Sequence, residues 1–193
     1  MVEYNGGESM DFYSEEYFLR EGRNILLREQ REFSDSVKHA PMTAKFDVFL
    51  SYNISNIDVV KSIYYFLTKK GLKVYLDCIV DPDMERSETD KQTAERIHKR
   101  LMNSNSLLYA QSQEAGKSNW MPWELGVVDG NTHRCYIMPV TKNAKQVSPQ
   151  REYLALYPYI KEGIEHEMQI ITESAYFGEQ SRNFVNHIIA SRQ

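Results

Sequence analysis

KFDVFLSY, Lys45 to Tyr52, is a near-continuous apolar run in which Phe46, Val48 and Leu50 alternate with Asp47, Phe49 and Ser51. Such a run predicts a strand covered on both faces, as in a parallel sheet. The residues after it support that reading. Ser55 or Asn56 can cap a helix whose Val60, Ile63 and Leu67 share one face, and Gly71 behind Lys69-Lys70 supplies the stop. LKVYLD, Leu72 to Asp77, reads as a second strand.

The unit then repeats. A polar loop from Cys78 to Asp90 leads to a helix with Ala94, Ile97 and Leu101 on one face, and to a third strand, SLLYA, Ser106 to Ala110. After the loop QSQEAGK a further helix opens in SNWMPWELG, Ser118 to Gly126, with its stop expected at Gly130; CYIMPV, Cys135 to Val140, is the fourth strand. Strands alternating with helices at this spacing predict an α/β fold: a parallel sheet with helices on both faces, joined by right-handed crossovers. Ligands of such sheets collect at the carboxyl ends of the strands.

Both ends of the chain are less regular. Residues 1 to 12, with Gly6-Gly7, read as a mobile end. From Ser14 to Val37 the apolar residues Phe18, Ile25, Leu26, Phe33 and Val37 predict an amphipathic helix, or two short ones, with Gly22 as the weak point. That face can lie against the main domain or be held for a partner chain. His39 to Thr43, containing Pro41, reads as a linker, which divides the chain into an extension, 1–44, and a domain, 45–193. Downstream, YLALYPYI can hold an edge strand or a turn, Met168 to Ile171 a fifth strand, and Phe177, Phe184, Val185 and Ile188 a terminal amphipathic helix.

Composition narrows the function classes. The 193 residues carry a formal net charge of −4 with no long Lys/Arg run, which argues against nucleic acid as the principal partner. No apolar run approaches the roughly 18 residues of a membrane span, and the acidic N-terminus is unlike a signal peptide, so a cytoplasmic protein is expected. Cys78 and Cys135 then read as reduced structural thiols, with neither a disulfide nor zinc. Gly116-Lys117-Ser118 is no phosphate loop, because Gln111 stands where that motif needs its first glycine. The first strand is followed by no G-x-G-x-x-G, so a dinucleotide would be bound as substrate and not by a fingerprint. Asp81, Asp83 and Glu85 with Pro82 among them do not match a calcium loop and read as a solvated loop. The five histidines have no zinc-like spacing.

SNWMPWELG holds the candidate chemistry. Ser118 and Asn119 are both good N-caps, Pro122 is tolerated in a first turn, and Trp120 and Glu124, four residues apart, share a helix face. With FDVFLSY, with GLKVYLD and its long polar loop, and with the spacing S-x-W-x-x-x-E at Ser118, Trp120 and Glu124, the chain from about Lys45 resembles a Toll/interleukin-1 receptor (TIR) domain of the NAD⁺-cleaving bacterial type. The resemblance implies a flavodoxin-like sheet, NAD⁺ as substrate with no cofactor, Glu124 as the catalytic carboxylate and Trp120 as its support. It places Phe46, Ser51, Tyr52 and Asn53 at the nicotinamide end of the pocket; of these Tyr52 and Asn53 are the stronger candidates, and Phe46 reads as a core residue. Asp77, at the root of the segment corresponding to the family's BB loop, either takes part directly or caps the loop backbone. Nicotinamide is already a cationic leaving group, so one carboxylate can suffice.

The resemblance further implies self-association through the BB loop and a role of the Thoeris antiphage type, in which a cyclic or modified ADP-ribose signals to a separate effector. The alternative is a non-catalytic TIR adaptor or virulence factor; Glu124 separates the two. Two features depart from the family: CIVDPDMERSETDKQT lacks the usual Pro-Gly turn, and the N-terminal forty residues exceed a minimal TIR domain.

Overall fold

A computed structural model describes residues 12–84, 90–142, 151–163, 166–174 and 178–192. Its elements run β1 (Tyr13–Ser14), α1 (Glu15–Arg23), α2 (Leu27–Asp35), β2 (Val48–Tyr52), α3 (Ile57–Lys69), β3 (Val74–Tyr75), α4 (Asp77–Val80) and α5 (Lys91–Met102). They continue with β4 (Leu107–Gln111), α6 (Trp120–Thr132), β5 (Cys135–Thr141), β6 (Tyr159–Glu162), β7 (Met168–Ser174), β8 (Gly178–Asn183) and α7 (Phe184–Ala190). The sheet order is β3-β2-β4-β5-β6-β7-β8, with β1 pairing the end of β5. From β3 to β6 all pairs are parallel, as the alternating sequence predicts, whereas β7 and β8 add an antiparallel margin.

The first crossover forms for the reasons its sequence offers. The Asn56 side chain accepts from the backbone N–H of Asp58, Val59, Val60, Ile63 and Leu67 are buried, and Gly71 takes φ +86°, a left-handed conformation that glycine adopts without a Cβ penalty. The second strand is shorter than LKVYLD suggests. After Tyr75 the chain turns directly into α4, so Asp77 begins a helix, and Ile79, Val80 and Asp81 are buried where a solvated loop was expected. Asp81 is held by the guanidinium groups of Arg100 and Arg96 and by the Tyr75 hydroxyl. Glu85 of the same acidic cluster lies outside the described residues, as does Phe177 of the expected terminal helix.

The helical pattern before residue 40 resolves into α1 and α2, with the break at Asn24 to Leu26 and not at Gly22. Gly22 instead allows a close approach between α1 and α3: a Cβ there would lie 2.3 Å from Ser62 Oγ and 2.8 Å from its Cβ. Tyr17 and Phe18 meet Phe66 edge to face, and Tyr13, Phe18 and Val37 belong to the same core as β2, β4 and β5. Residues before 44 thus contribute to the core of the main domain, the first of the two arrangements open to the α1–α2 face. Gly22→Ala should destabilise the fold by about 1–3 kcal/mol by overpacking, although alanine normally favours a helix interior over glycine. Urea denaturation measures it, and a neutral or stabilised variant would show that the α1–α3 contact is loose.

The sheet's alternation sorts its two faces. Phe49, Ser51, Tyr109 and Ile137 share one side through the β2–β4–β5 register. That side carries α6, whose Glu124 meets Ser51. Tyr136 meets Phe184 of α7 on the opposite side. Among the described residues no helix is long and apolar enough to cross a membrane.

Candidate active site

Between β2 and β4 the strand order reverses, and the carboxyl end of the strands at such a reversal is the usual ligand position of these sheets. To it the sheet sends Ser51 and α6 sends Glu124. The Ser51 hydroxyl donates to Glu124 Oε2 at 2.6 Å, and the two residues are 0% and 1% exposed. The bond supplies one of the polar partners that a carboxyl group needs once it is taken out of water.

Local sequence explains why Glu124 arrives there. Ser118 Oγ accepts from the Met121 N–H and so caps α6, while Asn119 makes no side-chain cap. Pro122 falls in the first turn, where no intrahelical donor is lost. Met121, Glu124, Leu125 and Val128 form the buried stripe, so a carboxylate occupies a core-facing helical position. The helix continues past the expected stop at Gly130 and ends at His133, whose φ of 54° is left-handed. Trp120 sits one turn nearer the helix start on the face of Glu124; it is half-buried and packs edge to face on Trp123 at 5.6 Å.

The other residues named from the sequence divide into two further groups. Successive strand residues point to opposite sides, so Tyr52 leaves Ser51's side. Its hydroxyl donates to Asp77 Oδ1 at 2.9 Å, and the same oxygen accepts from the Cys78 N–H at 2.7 Å. Asp77 therefore has the backbone-capping geometry that the sequence left open beside a direct role. Asn53 Nδ2 donates to the Glu114 carbonyl at 2.7 Å, while its own carbonyl accepts from Ser112 Oγ at 2.7 Å. This clasp ties the loop after β2 to the loop after β4. Phe46 is 3% exposed and packs on Tyr75, a core position.

Burial, and secondarily Asp77, pushes the Cys78 thiol up to about 11; burial and Asp129 push Cys135 up to about 12, and both are free thiols. Among the described residues no group of three or more His, Cys, Asp or Glu could hold a metal ion.

Sequence reasoning passed over three polar groups on the α6 side. Gln111 at the end of β4 is 1% exposed, and both its amide atoms are buried with no hydrogen-bond partner among the described residues; Thr141 Oγ1 and the Tyr153 hydroxyl are likewise buried without a partner among them. Gln111 has a sequence signal, a polar residue closing the apolar run SLLYA; Thr141 and Tyr153 have none.

The fold, the switch-point carboxylate and the order of motifs define a TIR domain. Residues 48–169 match the TIR domain family, and the chain belongs to it. It is similar to a Bacillus cereus (strain MSX-D12) protein named "Probable 3' cyclic ADP-D-ribose synthase ThsB'", with 36% identity over 119 residues, 61% of this chain and 62% of that protein. A Cytobacillus dafuensis protein named "Putative cyclic ADP-D-ribose synthase TIR2" is 26% identical over 81 residues, 42% of this chain and 21% of that one. The chain thus spans less than two thirds of the length of either relative.

Proposed function

We propose that this TIR-domain protein cleaves the nicotinamide–ribose bond of NAD⁺ and converts the ADP-ribosyl group into a cyclic or otherwise modified ADP-ribose signal of the Thoeris type. The observation that carries the reading is the Glu124 carboxylate, sealed from water at the switch point and held by Ser51 at 2.6 Å. A relative named as a cyclic ADP-D-ribose synthase supports the cyclising outcome. An adaptor surface would have no use for a carboxylate buried at a strand end.

The C1′–N bond breaks with its electron pair passing to nicotinamide, which leaves neutral. Positive charge grows on C1′ and the ring oxygen, and Glu124 stabilises it more than it stabilises the ground-state ribose. A nucleophile then bonds to C1′ and loses its proton: a group of the same molecule gives a cycle, and water gives ADP-ribose. Ser51 fixes one carboxylate oxygen, Trp120 shields the helix face beside Glu124, and Tyr52, Asp77 and Asn53 set the loops around the mouth. NAD⁺ is thereby substrate and not cofactor, and its consumption fits a cytoplasmic protein. Because Glu124 is 1% exposed, substrate reaches it only when the mouth opens. Self-association through the segment following α4 would supply that change, with a separate effector reading the product; Arg86, the position for a charge-reversal test of that contact, lies outside the described residues.

The test is incubation of purified protein with NAD⁺ and resolution of the products by mass over a hundred-fold range of protein concentration. Nicotinamide with a product lighter than ADP-ribose by one water is the expected result, with specific activity rising with concentration. Intact NAD⁺ at every concentration would remove the enzymatic reading, and constant specific activity would remove the assembly.

A further inference from the structure

Three groups at one end of the sheet have unmet hydrogen-bonding capacity on the side that carries Glu124. In the parallel register Ser51 pairs with Tyr109 and Tyr109 with Ile137, while Gln111 pairs with Pro139. Gln111, two residues beyond Tyr109, and Thr141, two beyond Pro139, therefore face the same way as Ser51. One strand spacing and two residues separate the Gln111 and Ser51 backbones, roughly 8 Å. The segment carrying Tyr153 reaches this end through Arg151, which donates to the Gly116 carbonyl in the loop after β4 at 2.9 Å; further along the segment, the Tyr157 hydroxyl donates to Asp129 in the last turn of α6 at 3.0 Å. Tyr109 lies among them, its hydroxyl pushed up to about 12 by burial first, then by Tyr153, with Glu124 adding to the rise.

A primary amide brings two donors and one acceptor, and burying it unpartnered costs about 1–3 kcal/mol. Among the described residues Gln111 Nε2 and Oε1 are both in that state, as are the hydroxyls of Thr141 and Tyr153. Such a cost is kept where a ligand offers the complement. The complement of a primary amide is another amide, through paired N–H···O=C bonds running in opposite directions. On the reading of this end of the sheet as an NAD⁺ site, the reacting C1′ must lie at Glu124, and the only amide in the substrate is the nicotinamide carboxamide, on the ring attached to that carbon.

We infer that Gln111 recognises the nicotinamide carboxamide, with Thr141 and Tyr153 completing the polar end of the pocket, so that this residue sets the preference for NAD⁺ over dinucleotides lacking the amide. Gln111 is a specificity residue and takes no part in bond cleavage. This rests on the NAD⁺ reading above, and the experiment separates the two.

Gln111→Leu keeps the volume and removes the amide; Tyr153→Phe removes one hydroxyl as a second, milder change. KM and kcat are measured on NAD⁺ and on 3-acetylpyridine adenine dinucleotide, whose methyl ketone lacks the amide N–H groups, with thermal unfolding followed in parallel. The wild type should favour NAD⁺ by roughly 10- to 100-fold in kcat/KM. Gln111→Leu should raise KM for NAD⁺ by a similar factor and leave the acetylpyridine substrate within about three-fold, so that the preference collapses while kcat on both changes little. Tyr153→Phe should move it part of the way. Equal loss on both substrates, or unchanged KM values with a raised Tm, would mean that Gln111 is only a buried amide of the scaffold and would overturn the proposal. Should the wild type cleave neither dinucleotide, the catalytic reading fails by itself. The thermal shift given by nicotinamide then decides the present one: a shift in the wild type that Gln111→Leu abolishes supports it, and no shift in the wild type overturns it.

Discussion

Glu124→Gln should lower nicotinamide release by at least ~100-fold, as expected for the loss of one preorganised electrostatic stabiliser at a developing charge. The substitution keeps the shape and can still accept the Ser51 hydrogen bond, so thermal unfolding should change little. Ser51→Ala tests the support separately: the carboxylate remains but loses the bond that fixes one of its oxygens, and a smaller loss, about 10-fold, is expected. Order matters in this pair. If Glu124→Gln retained activity within a few-fold of the wild type, the carboxylate would have no part in cleavage whatever the effect at Ser51.

The parts of the fold legible in the sequence are those where a local signal and the tertiary answer agree. β2 and β4 are apolar on both faces because both faces are covered, and α3 is bracketed by Asn56 and by Gly71 at φ +86°. β8 was missed because GEQSRN has no apolar alternation; it is a polar strand held by pairing to β7. β1 is two residues long, below any periodicity, yet Tyr13 is fully buried. Within the site, Glu124 was legible through the S-x-W-x-x-x-E spacing and the family it resembles, and Ser51 through its place at the end of the first strand, where that resemblance puts pocket residues; that Glu124 lies in a buried helical stripe was not. The partition of Tyr52 away from Glu124 depends on strand alternation at the end of β2. Its bond to Asp77 further depends on β3 giving way to α4 at Asp77 itself, which the apolar pattern of LKVYLD does not announce.

A charge inside a buried helical face was likewise unread in α5, where Thr93, Ile97, Arg100 and Leu101 form that face. Arg100 is 1% exposed and donates from Nε and Nη2 to Asp81, from Nη1 to the Pro41 carbonyl and from Nη2 to the Ala40 carbonyl, at 2.7–2.9 Å. It thus joins the segment before β2, α4 and α5 at one point. Burial alone would raise the Asp81 carboxyl. The bond and charge of Arg100, the Tyr75 hydroxyl and Arg96 outweigh it and hold Asp81 below the usual carboxylate range. Arg100→Met should therefore cost about 3–5 kcal/mol, because it leaves Asp81 buried with only Tyr75 and the partly exposed Arg96, and two carbonyls without their donor. Adding Asp81→Leu to Arg100→Met should recover part of that loss, since the stranded charge goes with it.

The sign of the pH dependence follows from a folded pKa below the unfolded one, near 3.9 for aspartate. The stability that ionised Asp81 contributes is fully present above that value and is lost as pH falls through the folded pKa. Asp81→Asn should accordingly differ most from the wild type at neutral pH, and the gap should narrow below about pH 4. Urea denaturation of the four proteins at a series of pH values reads all of this. A single variant within 1 kcal/mol of the wild type at pH 7, or a gap that widens toward acid, would show that Asp81 and Arg100 do not hold these three segments together.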